Sequence, residues 1–260
     1  HLKRTIRVLP VRMQGYFATE LQPIAVESAR VFSGEFLSYF ENSAHWHAKA
    51  PVREASAYQS MVSGLRADPA RFELTVTVAK GLIPQGQKPE RIPGSDPMSA
   101  FFMGKPSAFA EDWVHLKAQL TKVANGELIW TGTSDVRVPV RPVAYTKEAL
   151  PDVMANQIQK QVSAWTTQLT NYANCQPVNF EISETGDSVR IDGGMTSGLQ
   201  MGDRLLILDQ ARLPGRVLEP GALAELSLAQ VVQVEDDTAL LEYTAGAPLL
   251  DATGKVALPF

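Results

Sequence analysis

Apolar residues recur along this chain with a period near two in some stretches and between three and four in others, and that alternation predicts its elements. Thr5–Met13 (TIRVLPVRM) is a β-branched and aliphatic run that predicts a buried strand. Pro10 ends that strand or makes it irregular, because proline has no N–H to give to a ladder. Leu21, Ala25, Ala29, Phe32, Phe36 and Phe40 then recur at steps of three and four, the spacing of one face of a helix that fades around Phe40 to Ala44. Thr19 and Gln22 stand at capping-box spacing, and Pro23 suits a first turn whose N–H groups lack partners anyway. Arg71–Ile83 returns to strict alternation, with Leu74, Val76 and Val78 on one face and Thr75 and Thr77 on the other. Trp113–Leu120 does the same through Val114, Leu116, Ala118 and Leu120. Ala124-Asn125-Gly126-Glu127 turns it into a return strand, Leu128–Trp130, that continues through Val136 to Val140. Asn-Gly there predicts a tight hairpin, whose central residues need positive φ. A second helix starts near Pro151-Asp152 and shows Met154, Ile158, Val162, Trp165, Leu169 and Tyr172 on one face.

Beyond Asn174-Cys175-Gln176-Pro177 the helical period disappears. Short strand-like runs follow at Val178–Ile182, Ser188–Ile191, Arg204–Leu208, Leu223–Val234, Thr238–Tyr243 and Val256–Leu258. Turn signals separate them, among them Thr185-Gly186-Asp187, Gly193-Gly194 and Asp236-Asp237. Such punctuation predicts a small barrel or sandwich. The stretch Gly198–Asp209 (GLQMGDRLLILD) organises this part: a turn with two glycines enters an apolar strand and carries no catalytic side chain. The predicted fold is therefore α+β in two domains. Residues 1–175 form an α/β domain with a mixed sheet and two long helices, and residues 176–260 form a small all-β barrel.

Composition narrows the function. With 45% apolar and 20% charged residues over 260 positions, the chain is that of an ordinary globular protein. A net charge of -4 and the absence of any basic run argue against a nucleic-acid partner. No apolar run approaches the roughly 20 residues of a membrane-spanning helix. The single Cys175 excludes an internal disulfide framework and a cysteine metal cluster. The chain begins with His1 rather than Met, which is compatible with a secretory signal removed from a precursor.

Candidate chemistry is sparse. His45-Trp46-His47 places two imidazoles on one face if it is a strand, but no third ligand stands at a familiar spacing, and the segment reads as surface anchored by Trp46. Gly104-Lys105 is followed by Pro106 and lacks the earlier glycine of a phosphate loop. Gly193-Gly194-Met195-Thr196-Ser197-Gly198 lacks the order of a dinucleotide loop, and no GxSxG elbow occurs. Glu111-Asp112 and Asp236-Asp237 are neighbouring acids in turns, which alone do not make a general acid and base. The long Pro/Gly-rich connection from Gly81 to Asp112 carries Phe101-Phe102-Met103, which covers core or offers a contact site. No catalytic, cofactor-binding or metal-binding residue is assigned, and no cofactor is expected.

Gly198–Leu208 resembles the carboxy-terminal module of flagellar assembly protein T, the H-ring protein of some polar flagella. Leu228–Val234 and Thr238–Glu242 are similar to that module's closing strands. TIRVLPVRM followed by a long helix resembles the first strand and helix of the same family's middle domain, which is in turn similar to the amino-terminal domain of TolB. Thr121–Trp130 also resembles a "turn, Gly-Glu, apolar, Trp" hairpin of curli-secretion and penicillin-binding-protein activator lipoproteins. The resemblance implies a non-enzymatic periplasmic structural protein of the flagellar basal body, oligomeric in its ring and partnered by other basal-body or envelope proteins. Phe101 and Phe102 are candidate contact residues on that view. The alternative it leaves is a TolB-like or secretion-linked envelope adaptor.

Overall fold

The structure, a computed structural model, describes residues 2–17, 21–49, 70–81, 113–138, 150–185, 188–210, 226–247 and 253–260. The predicted capping box at Thr19, the connection carrying Phe101, Phe102, Glu111 and Asp112, and the start of a strand at Leu223 lie outside these residues. The chain divides into two compact units. One comprises His1–Ile6, Glu41–Arg71 and Thr170–Phe260; the other comprises Arg7–Phe40 and Phe72–Leu169.

The mixed sheet contains β1 (Arg4–Val8), β2 (Arg12–Gln14), β3 (Trp46–Lys49), β4 (Phe72–Gly81), β5 (Trp113–Lys122) and β6 (Leu128–Arg137), in the order β3-β1-β4-β5-β6 with β2 paired to β4. Pro10 splits the predicted first strand in two, and β2 then runs parallel to β4. The β4–β5–β6 meander is antiparallel and in register, so Leu74 faces Leu120, Val76 faces Ala118 and Val78 faces Leu116. One sheet face is thus mostly apolar, with Ser134 its polar member on β6. The other carries Thr75, His115, Lys117, Thr131 and Asp135, and a pair between His115 Nδ1 and Asp135 at 2.8 Å links β5 to β6.

The hairpin turn differs from the predicted one. Only Gly126 takes a positive φ, +69°, and Asn125 does not, so the two-residue primed turn is absent. The loop is longer. Gly126 N–H donates to the Lys122 carbonyl and Lys122 N–H to the Glu127 carbonyl, both at 2.9 Å. Asn125 contributes through its side chain instead, its Oδ1 accepting the Glu127 N–H at 3.0 Å. The asparagine closes an Asx turn and leaves the left-handed position to glycine.

Helices α1 (Gln22–Asn42) and α2 (Asp152–Cys175) cover the apolar face. α1 buries Ala25, Ala29, Phe32, Phe36 and Phe40, the face its sequence predicts. α2 buries Met154, Ile158, Val162, Trp165 and Leu169; its last contact falls to Ala173 rather than to Tyr172, which is half-buried. Pro151 stands just before α2, where its carbonyl accepts the N–H groups of Met154 and Ala155. The helices meet through aromatic rings: Trp165 lies edge-on to Phe32 at 5.6 Å and stacks with Phe36 at 6.3 Å. Beneath it, a side chain at Gly132 would strike Trp165 at 2.7 Å, so that glycine gives the indole its seat on β6. Ser134 to Gln161 and Trp130 Nε1 to Gln168, at 3.2 and 2.9 Å, tie α2 to β6.

The second architecture is a closed barrel. Its strands β7 (Phe180–Thr185), β8 (Ser188–Ile191), β9 (Arg204–Asp209), β10 (Ser227–Val234), β11 (Ala239–Gly246) and β12 (Lys255–Pro259) run in the order β10-β11-β8-β7-β12-β9, with β9 returning to β10. All six predicted strand runs are present. Closure removes both sheet edges and leaves one apolar interior. That interior holds Phe180, Ile191, Leu199, Leu205, Ile207, Ala229, Val231, Ala239, Leu241 and Ala257.

Candidate interaction groove in the barrel unit

Three chain segments of the barrel unit meet at one end of β12. On β9 and β12, Leu205, Ile207 and Ala257 enter the barrel core, so by alternation Leu206 and Leu258, which face each other in register, turn outward. Leu258 and Pro259 form one wall of a groove of about 440 Å³; Leu2, Ala44, His45, Pro177 and Val178 form the rest. The volume is within the range of roughly 300–1,000 Å³ typical of ligand sites. Backbone bonds hold its walls: Lys3 N–H donates to the Ser197 carbonyl, Arg4 N–H to the His45 carbonyl, and Phe260 N–H to the Arg204 carbonyl. Two prolines in the lining add stiffness. His45 is half-buried on the wall, and Phe260, which follows the lining residue Pro259, is 86% exposed.

Three cations of this unit, Arg4, Lys49 and Arg71, are buried. Arg4, 4% exposed, donates to the Gln176 carbonyl beside the groove residue Pro177 and lies over the Trp46 ring, 5.8 Å from its centroid. Burial pushes the Arg4 pKa down, with Tyr172 opposing. Arg71 binds Asn179 through both its carbonyl and its side chain, and meets Asp192 at 3.0 Å. Burial pushes the Asp192 carboxyl up, and Arg71 and the N–H of Glu181 hold it back. Lys49 pairs with Asp237, whose carboxylate also accepts the Thr196 hydroxyl at 2.8 Å.

The Gly198–Asp209 stretch enters β9 through a 3-10 turn at Met195–Ser197 and two left-handed glycines, Gly198 at φ 85° and Gly202 at φ 93°. Asp203 caps that turn, its carboxylate accepting the Gln200 N–H at 2.8 Å. Gly194 serves another purpose: a Cβ there would lie 2.3 Å from the Glu235 carbonyl, because Met195 and Thr196 N–H groups bond the Glu235 and Asp236 carbonyls. Gly194 therefore lets two loops approach, while Gly193 leaves room for the Phe180 ring.

The other predicted positions separate. His45-Trp46-His47 straddles the start of β3, a short strand, where Trp46 is fully buried and His45 and His47 are half-buried. Among the described residues no three His, Cys, Asp or Glu side chains stand together as a metal site. Asp237 is engaged by Lys49 and Thr196, while Asp236 is exposed. Cys175 is a free, exposed thiol. Sequence reasoning missed Arg4, Lys49 and Arg71, because an isolated basic residue flanking a strand reads as a solvated end.

No family model and no curated protein matches the chain. Solved structures share parts of its course. A hypothetical protein from Chlamydia trachomatis is 12% identical over 67% of this chain and 99% of its own, with a TM-score of 0.37. The lipoprotein GNA1162 from Neisseria meningitidis is 13% identical over 65% of this chain and 99% of its own, with a TM-score of 0.31. PelC from Paraburkholderia phytofirmans, solved as a dodecamer, is 15% identical over 62% of this chain and 86% of its own, with a TM-score of 0.29. Likeness this low carries no functional information. Among the described residues, no helix is long and apolar enough to cross a membrane.

Proposed function

We propose that this protein is a non-enzymatic structural protein of the bacterial envelope, of the flagellar H-ring type, which supports ring assembly in the periplasm through protein contacts. The observation that carries the reading is the Gly198–Asp209 stretch. Its residues resemble the carboxy-terminal module of flagellar assembly protein T, and they build a capped two-glycine turn leading into a closed barrel. A two-helix layer on a mixed sheet agrees with the TolB-like middle domain that the same resemblance implies. Deleting the gene tests the proposal: motility and basal-body rings visible by electron microscopy should be lost and restored by complementation. Intact rings in the deletion strain refute it.

A second reading, an envelope adaptor with a different partner, is favoured by the Thr121–Trp130 hairpin, which resembles that of curli-secretion and penicillin-binding-protein activator lipoproteins. Crosslinking in cells separates the two, since basal-body proteins are recovered only in the first case.

A further inference from the structure

Asn125-Gly126, in the loop between β5 and β6, carries a chemistry that is independent of the chain's partner. No other asparagine in the sequence precedes a glycine. The main-chain nitrogen after an asparagine can attack the side-chain amide carbon, and glycine, with no Cβ beside that nitrogen and wide dihedral freedom, hinders the attack least. We infer that Asn125 is a site of non-enzymatic deamidation, and that the closed hairpin loop holds the reaction in check. The Gly126 nitrogen gives up its proton and bonds to Asn125 Cγ; the Cγ–Nδ2 bond breaks, and ammonia leaves having gained a proton. Water then opens the cyclic imide at one of its two carbonyls. One opening leaves an aspartyl residue, and the other an isoaspartyl residue, whose main chain runs through the former side chain.

Access does not limit this reaction. Asn125, Gly126 and Glu127 are exposed, and nothing lies within 4 Å of the place a Gly126 Cβ would take. Hydrogen bonds limit it instead. Gly126 N–H, the group that must lose its proton, donates to the Lys122 carbonyl at 2.9 Å, so the nitrogen is not a free nucleophile until the loop opens. The amide under attack is held at both ends by one residue. Its Oδ1 accepts the Glu127 N–H at 3.0 Å, and its Nδ2 donates to Glu127 Oε2 at 3.2 Å. The bond to Oδ1 polarises Cγ and favours attack, but a protonated nitrogen cannot use that advantage, so the Lys122 bond sets the rate.

The two products act differently on the hairpin. The aspartyl form keeps the acceptor for Glu127 N–H but puts an oxygen where Nδ2 donated to the Glu127 carboxylate, so an attraction becomes a repulsion. The isoaspartyl form lengthens the main chain inside a loop whose ends are pinned by the Lys122 N–H to Glu127 carbonyl bond. That bond and the adjoining Thr121–Leu128 rung cannot both keep their geometry.

The test incubates the full chain at mildly alkaline pH, in native buffer and, in parallel, unfolded in guanidinium chloride. Trypsin then releases Val123–Arg137, whose sole asparagine is Asn125 and which contains no glutamine, so the mass gain of amide-to-acid conversion reports that residue alone. Conversion is expected in both arms, about tenfold slower in the native one, the scale of one net hydrogen bond held on the nucleophile. Asn125→Gln, at an exposed position, should abolish the signal in both arms, because attack would have to close a larger ring. Native-state amide exchange checks the loop bond separately: corrected for sequence, Gly126 N–H should exchange about tenfold more slowly than the N–H of Ala124, equally exposed in the same loop. No conversion in the unfolded arm, or conversion that survives Asn125→Gln, overturns the site. Equal rates in the two arms, or Gly126 exchanging as fast as Ala124, overturns its control by the loop.

Discussion

Arg71→Leu is the most informative single perturbation of the barrel unit. The Arg71 side chain is 8% exposed and its partner Asp192 is 31% exposed, so the pair is largely withdrawn from water. Removing one member of a buried pair costs about 3–5 kcal/mol because the remaining charge is uncompensated. Partial exposure of Asp192 reduces this to about 2–3 kcal/mol at pH 7. The substitution also leaves the Asn179 carbonyl and side-chain oxygen without their donor. Urea unfolding of the full chain measures the loss. Its pH dependence identifies the cause. Burial already raises the Asp192 pKa above its ordinary 3.8 in the folded protein, and the loss of Arg71 raises it further. A carboxyl whose folded pKa lies above its unfolded value destabilises the fold when ionised, and that penalty disappears as pH falls through the folded pKa. The difference between Arg71→Leu and wild type should therefore shrink as pH falls from 7 toward 4. In a double-mutant cycle with Asp192→Asn, a coupling of about 1–2 kcal/mol is expected at pH 7. A pH-independent loss, or additive single mutants, refutes the assignment of a charge pair and leaves only lost packing against the Phe180 ring, over which the Arg71 guanidinium lies 5.8 Å from the centroid.

Gly194→Ala should destabilise by about 2 kcal/mol or more through collision with the Glu235 and Asp236 carbonyls, although its φ of -143° suits any residue. Gly202→Ala meets only an ordinary contact, 3.8 Å to Gln230, but has a φ of 93°, so its cost should be about 1–2 kcal/mol and come from backbone strain; thermal melts of both variants check the contrast. Trp165→Ala removes the ring shared by Phe32, Phe36 and Trp130 and should cost about 3–5 kcal/mol, read as a lower urea midpoint at an unchanged slope.

The local elements of this chain were legible because each carries its own period. The aromatic stripe from Leu21 to Phe40 and the alternation from Trp113 to Leu120 each state which face meets the core, and both faces are buried as written. Glycine and proline marked the breaks, at Pro10 and around Gly198 to Gly202, because backbone dihedrals are a local property. The hairpin at Asn125 was misjudged in its length, since an Asx bond and a primed turn use the same two residues.

What the tertiary structure decided are the contacts made across long sequence separations. Arg4 reaches Gln176 and Arg71 reaches Asn179, separations of 172 and 108 residues, and nothing near either arginine announces a buried partner. The groove likewise draws Leu2, Ala44, Pro177 and Leu258 from ends of the chain that no period relates. Burial of a residue type follows from repetition along the chain, whereas convergence of single residues follows from how strands are ordered and closed. The sequence by itself determined the strands, helices and turns of this protein; strand order and barrel closure determined which isolated side chains became neighbours.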